Sequence, residues 1–191
     1  MINNILLLIL FIQYVYSLQI TNSLEQENNC NLLLNNISIT IDNYDNILGK
    51  WYELFSTKNN YFVYHKKNFT CSSLTFYKYG NTFPCEYEYF ANNKTFSTFG
   101  TFQFNHSLPI TKFEFFSQKN IQYFNFFYFN EDKNILGIVK CSPESKKNNL
   151  SFYIFSKNIT NNQTTKVFDY LLSKRYKKQL HNFIEIKHNI C

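Results

Sequence analysis

Five cysteines, four histidines and one carboxyl on a strand-like run are the side chains of this 191-residue chain best suited to chemistry. The histidines His65, His106, His181 and His188 show no HxxxH or His-Cys spacing, so no metal site is expected. No GxSxG, P-loop or GxGxxG fingerprint occurs. The acyl-transfer, phosphate and dinucleotide chemistries served by those motifs therefore lack their anchors. Cys30, Cys71, Cys85, Cys141 and Cys191 are widely spaced, with no CxxC pair, which suits disulfides better than zinc. An odd count leaves one thiol over. The three ways of pairing any four cysteines are not separated by spacing alone. The carboxyl is Glu53, in Ile47–Thr57 (ILGKWYELFST), which also carries the only tryptophan, Trp51, two residues after Gly49.

The chain opens on an apolar stretch, Ile5–Ile12. It is far shorter than the roughly 20 residues that span a bilayer and suits the core of a secretory leader. Residues 1–17 read as a cleaved leader ending near Ser17, and 18–191 as a single domain. No later run has the length and apolarity of a membrane anchor. Seven sequons, at Asn36, Asn68, Asn93, Asn105, Asn149, Asn158 and Asn162, exceed the roughly four expected by chance and agree with a secreted glycoprotein. A secretory-pathway lumen or the extracellular space is the expected compartment. The net charge is +6, with a basic run at Lys174-Arg175-Tyr176-Lys177-Lys178. No nucleic-acid reading module accompanies it, so it reads as the solvated face of a helix rather than a nucleic-acid patch. Aromatics are 20% of the residues. They favour strands and bring large buried areas.

These residues are carried by regularly spaced, strand-like segments. They run Gly49–Thr57, Thr70–Tyr79, Phe83–Phe90, Thr95–Phe104, Lys112–Phe116, Ile121–Phe129, Ile135–Cys141 and Leu150–Lys157, joined by short polar turns. Such spacing predicts a sandwich or an up-and-down barrel. From Thr164 the apolar period becomes helical, at Val167, Phe168, Leu171, Leu172 and Tyr176, with Asn162 or Thr164 as the N-cap. A short strand-like piece, Phe183–Ile186, precedes the terminal cysteine.

Gly49-Lys50-Trp51-Tyr52-Glu53 resembles the GxW motif of the lipocalin family, in the form found in its apolipoprotein D and bilin-binding subgroup. The lead-in Asp42-Asn43-Tyr44 and Ile47-Leu48 is similar to that family's short helical turn. Cys71 and Leu74-Thr75-Phe76-Tyr77 resemble the subgroup's second strand. Asn130-Glu131-Asp132 followed by Ile135–Cys141 resembles the second motif, and Phe152–Lys157 the third. The likeness covers about Cys30 to Cys191. Two departures stand out. Asn130 and Glu131 replace the usual Thr and Asp, and Lys157 replaces Arg. Lys157 can still cover an indole but lacks the planar fork, which predicts a more loosely held closed end.

The resemblance implies an all-β fold, an eight-stranded antiparallel barrel with one helix packed outside. It implies disulfides Cys30–Cys141 and Cys71–Cys191, leaving Cys85 as the free thiol. Gly49, Trp51 and Lys157 would close one end. A barrel of this size can hold one small ligand. Parity with Trp51 places Glu53 and Phe55 inside, and parity with Lys157 places Tyr153 and Phe155 inside. Phe76 and Tyr153 stand where subgroup members line the pocket, and Phe96, Phe102, Phe115 and Phe126 are further candidates. The expected function is a secreted, non-enzymatic carrier of a small hydrophobic ligand of the lipid, sterol, retinoid, bilin or haem class, without a cofactor of its own. A bound lipid or tetrapyrrole would be cargo, and a receptor or a second copy of the chain remains open as partner. The second reading is a protein-binding lipocalin with a filled barrel. The third is an isomerase using the Cys85 thiol.

Overall fold

The structure is a computed structural model. It describes residues 43–57, 70–80, 82–91, 93–105, 108–115, 122–142, 149–160, 165–173 and 182–188, together with 12, 13, 30, 32–34, 37, 39, 41 and 176; side chains at 102–115, 122, 123, 142 and 149 lie outside the description. Eight strands follow one another as β1 (Gly49–Thr57), β2 (Thr70–Phe76), β3 (Phe83–Ala91), β4 (Lys94–Asn105), β5 (Leu108–Phe115), β6 (Gln122–Asn130), β7 (Ile135–Ser142) and β8 (Asn149–Ser156). Each pairs antiparallel with the next, β8 pairs with β1, and β1 pairs back to β2, so the sheet closes into an up-and-down barrel. Helix α1 (Thr165–Ser173) and a short β9 (Phe183–Glu185) follow. Closure removes free sheet edges. Where β2 leaves β1, β9 takes over its edge: Gly49–Tyr52 pair with β2 and Phe55–Thr57 with β9.

The side-chain period explains two compartments of core. On β3, Phe83, Cys85, Tyr87, Tyr89 and Ala91 are buried while the residues between them are half-exposed. That strand faces the interior on one side and water on the other. Strands β6, β7 and β8 are buried on both faces because α1 covers their outer side. Phe124, Phe126, Leu136, Ile138, Tyr153 and Phe155 point to the interior. Phe127, Ile135, Val139, Phe152 and Ile154 join Val167 and Leu171 of α1 outside. This is why Ile121–Phe129 reads as almost wholly apolar. The expected cap residues Asn162 and Thr164 lie outside the described residues, as do residues 1–11 and 14–17 of the expected leader and all of 174–178 but Tyr176.

Cys30 and Cys141 form a disulfide with Cα atoms 5.6 Å apart. It ties the N-terminal segment, with the buried Leu34 and Ile37, to β7 in the outer compartment. Cys71 is also disulfide-bonded. Its expected partner, Cys191, lies outside the described residues, although the Cys71 N–H donates to the Lys187 carbonyl at 2.9 Å and so brings the tail to β2. Cys85 is the free cysteine among the described residues, and it is buried.

Gly49 enters β1 at φ +94, a left-handed conformation that a glycine adopts without the Cβ penalty. Trp51 then lies buried across one end of the barrel, its indole N–H donating to the Ile47 carbonyl at 2.7 Å. Lys157 lies over its ring, 4.9 Å from the centroid. The single turn of 3-10 helix at Tyr44–Ile47 caps this end. Its Asn46 side chain donates to the Glu131 carboxylate at 2.7 Å, and Lys78 pairs with Asp45 at 2.6 Å. Asn130 caps the β6–β7 turn by accepting from the Lys133 N–H at 2.9 Å. All three residues that depart from the family pattern, Asn130, Glu131 and Lys157, make contacts of their own at this end.

Candidate functional site

The interior is mostly aromatic, and in its middle lies one carboxyl. Glu53 is 0% exposed. The Tyr87 hydroxyl donates to its Oε2 at 2.6 Å. Its other oxygen, Oε1, has no hydrogen-bond partner, and neither do the buried hydroxyls of Ser56 and Ser72. Those two hydroxyls sit close enough to hold its pKa down, as Tyr87 does, yet burial outweighs all three and raises the carboxyl above its ordinary value. The same burial raises the Tyr87 and Tyr153 hydroxyls well above theirs, and the nearby Glu53 adds to both. The arrangement can donate or accept hydrogen bonds, and it can hold a negative charge if a cation supplies the compensation.

The strands set this geometry by pairing. Glu53 lies opposite Phe155 and Ser56 opposite Tyr153 across β1 and β8. Leu74 lies opposite both Trp51 and Tyr87. The sequence-expected residues Glu53, Phe76, Phe126, Tyr153 and Phe155 all face the interior and are buried there. Phe76 tilts toward Phe126 with centroids 6.3 Å apart, and Tyr153 stacks on Phe155 at 6.3 Å. Phe96 is half-buried, stacked on Tyr89 at 5.2 Å, one step from the Ala91–Lys94 turn at the end opposite Trp51. The backbones of Phe102 and Phe115 pair with Phe83 and Gly100, and their side chains lie outside the described part.

Phe55 is the correction. Strict alternation from Trp51 would turn it inward, but the β1–β8 register shifts between Glu53 and Phe55. The extra residue of a bulge inverts the facing of everything after it. Ser56 therefore faces in, and Phe55 packs outside, edge-on to Phe168 of α1 with centroids 5.3 Å apart. Tyr87, Ser56, Ser72 and Tyr89 were not singled out by the sequence reading. The alternation of β3 was sufficient to find the two tyrosines. The serines carry no local signal, because their facing depends on irregularities in β1 and β2. Lys140 is a further interior surprise, 1% exposed, with its ammonium 5.9 Å from the Phe124 ring centroid.

The Cys85 thiol is 1% exposed and faces the interior opposite Phe76. Burial pushes its pKa far up, against a smaller lowering by the Gly100 backbone, so it stays a thiol at neutral pH. Among the described residues no group of His, Cys, Asp and Glu could hold a metal, and no helix is long and apolar enough to cross a membrane. Of the sequons, Asn93 and Asn158 are exposed at turns. Asn36, Asn68 and Asn162, and the side chains of Asn105 and Asn149, lie outside the described part.

No protein-family profile matches the chain, and no curated protein matches its sequence. Solved structures do match in shape. Insecticyanin from the tobacco hornworm Manduca sexta is similar at 14% identity and TM-score 0.64, covering 80% of this chain and 84% of its own. Lobster apocrustacyanin A1 is similar at 14% identity and TM-score 0.63, covering 77% and 80%. The cockroach allergen Per a 4 is similar at 16% identity and TM-score 0.59, covering 81% and 98%. Identities this low speak to architecture, and the closed barrel, the buried GxW tryptophan and the outer helix agree with them: this chain has the lipocalin fold.

Proposed function

We propose that the protein is a secreted carrier that binds a small hydrophobic molecule in the barrel interior by reversible, non-covalent sequestration. The observation carrying this reading is the unpartnered oxygen of Glu53 among inward-facing aromatics. A core evolved only for packing rarely keeps a buried carboxyl with an oxygen unbonded, whereas a ligand site needs a few polar groups on an apolar wall. Phe76, Phe96, Phe126, Tyr153 and Phe155 would supply the wall and Glu53 the polar contact. Ligand exchange would use the end opposite Trp51, where Tyr89 and Phe96 stack. The disulfide and the apolar opening stretch support the secretory route.

The filled-barrel, protein-binding alternative also has support, because Phe76, Tyr87, Phe126, Tyr153 and Phe155 are each at most 2% exposed. An uncharged naphthyl fluorescent probe titrated into the pure protein separates the two. The carrier reading expects saturable enhancement at about one probe per barrel, as one internal site allows, together with quenching of Trp51 emission. Absence of any saturable uptake would leave the filled barrel as the function-bearing form. Mass spectrometry of molecules released from natively isolated protein would then name the cargo class. The isomerase reading has little behind it, since a buried, undissociated thiol is a poor nucleophile.

A further inference from the structure

We propose that the Glu53 carboxyl, with the Ser56 and Ser72 hydroxyls, anchors a basic nitrogen carried by an otherwise apolar ligand. This rests on the carrier reading and specifies its cargo. The Ser56 and Ser72 hydroxyls, from β1 and β2, lie near enough to the carboxyl to lower its pKa, yet no hydrogen bond of good geometry reaches either of them or Oε1. The groups around them are neutral hydroxyls and aromatic rings: Tyr87 on β3, Tyr153 and Phe155 on β8. Burial and three hydroxyls set the ionisation of Glu53, and no cation contributes. Lys140 lies over the Phe124 ring on β7 and β6 and does not enter that balance. His188, from the tail, bonds the backbone carbonyl of Glu53 at 2.7 Å, not its carboxyl. The complement missing beside the carboxyl is therefore a positive charge with N–H donors. An ammonium would give Oε1 its bond and the two serine hydroxyls a donor, and the rings beside it would add cation–π attraction.

The proton balance follows. We take the buried carboxyl to hold its proton in the free protein, the form that burial favours. A ligand arriving as an ammonium ion binds the carboxylate, so the acid's proton leaves to the buffer. A hydroxyl-bearing ligand of the same size binds the protonated acid and releases none. Paired probes read this difference: a medium-chain primary alkylamine and the alcohol of equal chain length, each displacing the uncharged naphthyl probe. The amine is expected to bind more tightly by about tenfold or more, the low end of what a desolvated charge pair contributes. Calorimetry in buffers of different ionisation enthalpy should show about one proton released per amine bound and none per alcohol. In Glu53→Gln the amine preference and the proton release should vanish. Equal affinities for amine and alcohol in the unaltered protein, with the naphthyl probe still bound, overturn this inference and leave the carrier reading standing. No uptake of any of the three overturns both. The proton count is read on the unaltered protein, so the test survives a variant that fails to fold.

Discussion

The least ordinary residue in this barrel is Glu53. A carboxyl enclosed among rings disfavours its own ionised form. In the folded protein its pKa is raised above the ordinary 4.5, burial being the larger cause and the hydroxyls of Tyr87, Ser72 and Ser56 the opposing one. The folded state thus holds the proton more tightly than the unfolded chain. Its contribution to stability is complete below the unfolded value and is lost as pH rises through the folded one. Urea unfolding of the protein and of Glu53→Gln, from about pH 4 to about pH 8, should show the native chain losing stability toward the alkaline side relative to the variant. Parallel curves would mean that Glu53 is charged and compensated in the free protein. Trp51 presents the opposite case, a large side chain whose single polar atom is satisfied by Ile47. Its partner Lys157 is exposed, so the contact contributes on the order of 0.5–1 kcal/mol.

Among elements, the strands beneath α1 show how tightly two layers can share one wall. Gly137 of β7 lies where Phe127 of β6 crosses. A Cβ added there would sit 2.7 Å from the Phe127 ring and 2.9 Å from the Tyr128 Cβ. The bulge in β6, between Phe126 and Tyr128, turns Phe127 outward under the helix and Phe129 inward against Trp51, with centroids 6.4 Å apart. Gly137→Ala should therefore destabilise by about 1–3 kcal/mol, the usual cost of overpacking a filled site. The midpoint of denaturant unfolding reports it, and an unchanged midpoint would show that Phe127 can move aside. The register shifts in β1, β2, β4 and β6 were not legible in the sequence. A bulge leaves the residue types of its strand unchanged and is revealed only by the partner strand's register. Phe55 was misplaced for that reason, whereas Tyr153 and Phe155, on the regular β8, were placed correctly by parity.

At the scale of the whole molecule, the barrel is a ring of local hairpins closed by one long-range pairing, β1 with β8. Further non-local ties come from the N-terminal segment and the tail. The Cys30–Cys141 bond spans a sequence separation of 111. In the chain-entropy account a loop of that size stabilises by up to about 4–5 kcal/mol. Cys30→Ser should lower the denaturant midpoint by an amount approaching this while far-UV circular dichroism keeps the strand signal of an intact barrel. Loss of that signal in native buffer would show that the barrel needs the tie to form at all. The tail supplies a parallel tie through β9, the Ile186 N–H to the Leu54 carbonyl at 2.9 Å, and His188 against Tyr52 at 5.8 Å between ring centroids.

Eight strands and one helix followed from the sequence alone, because alternation, helical period and turn residues are local properties written in residue order. The closing role of Trp51, the free thiol at Cys85 and the Cys30–Cys141 pair were expected only through the family resemblance, since spacing leaves every pairing open. Tertiary structure alone decided which oxygen of the interior goes unbonded. That depends on register shifts in β1 and β2, which carry Ser56 and Ser72 to the carboxyl from different strands. It also depends on burial, which has no meaning until the ring of strands has closed.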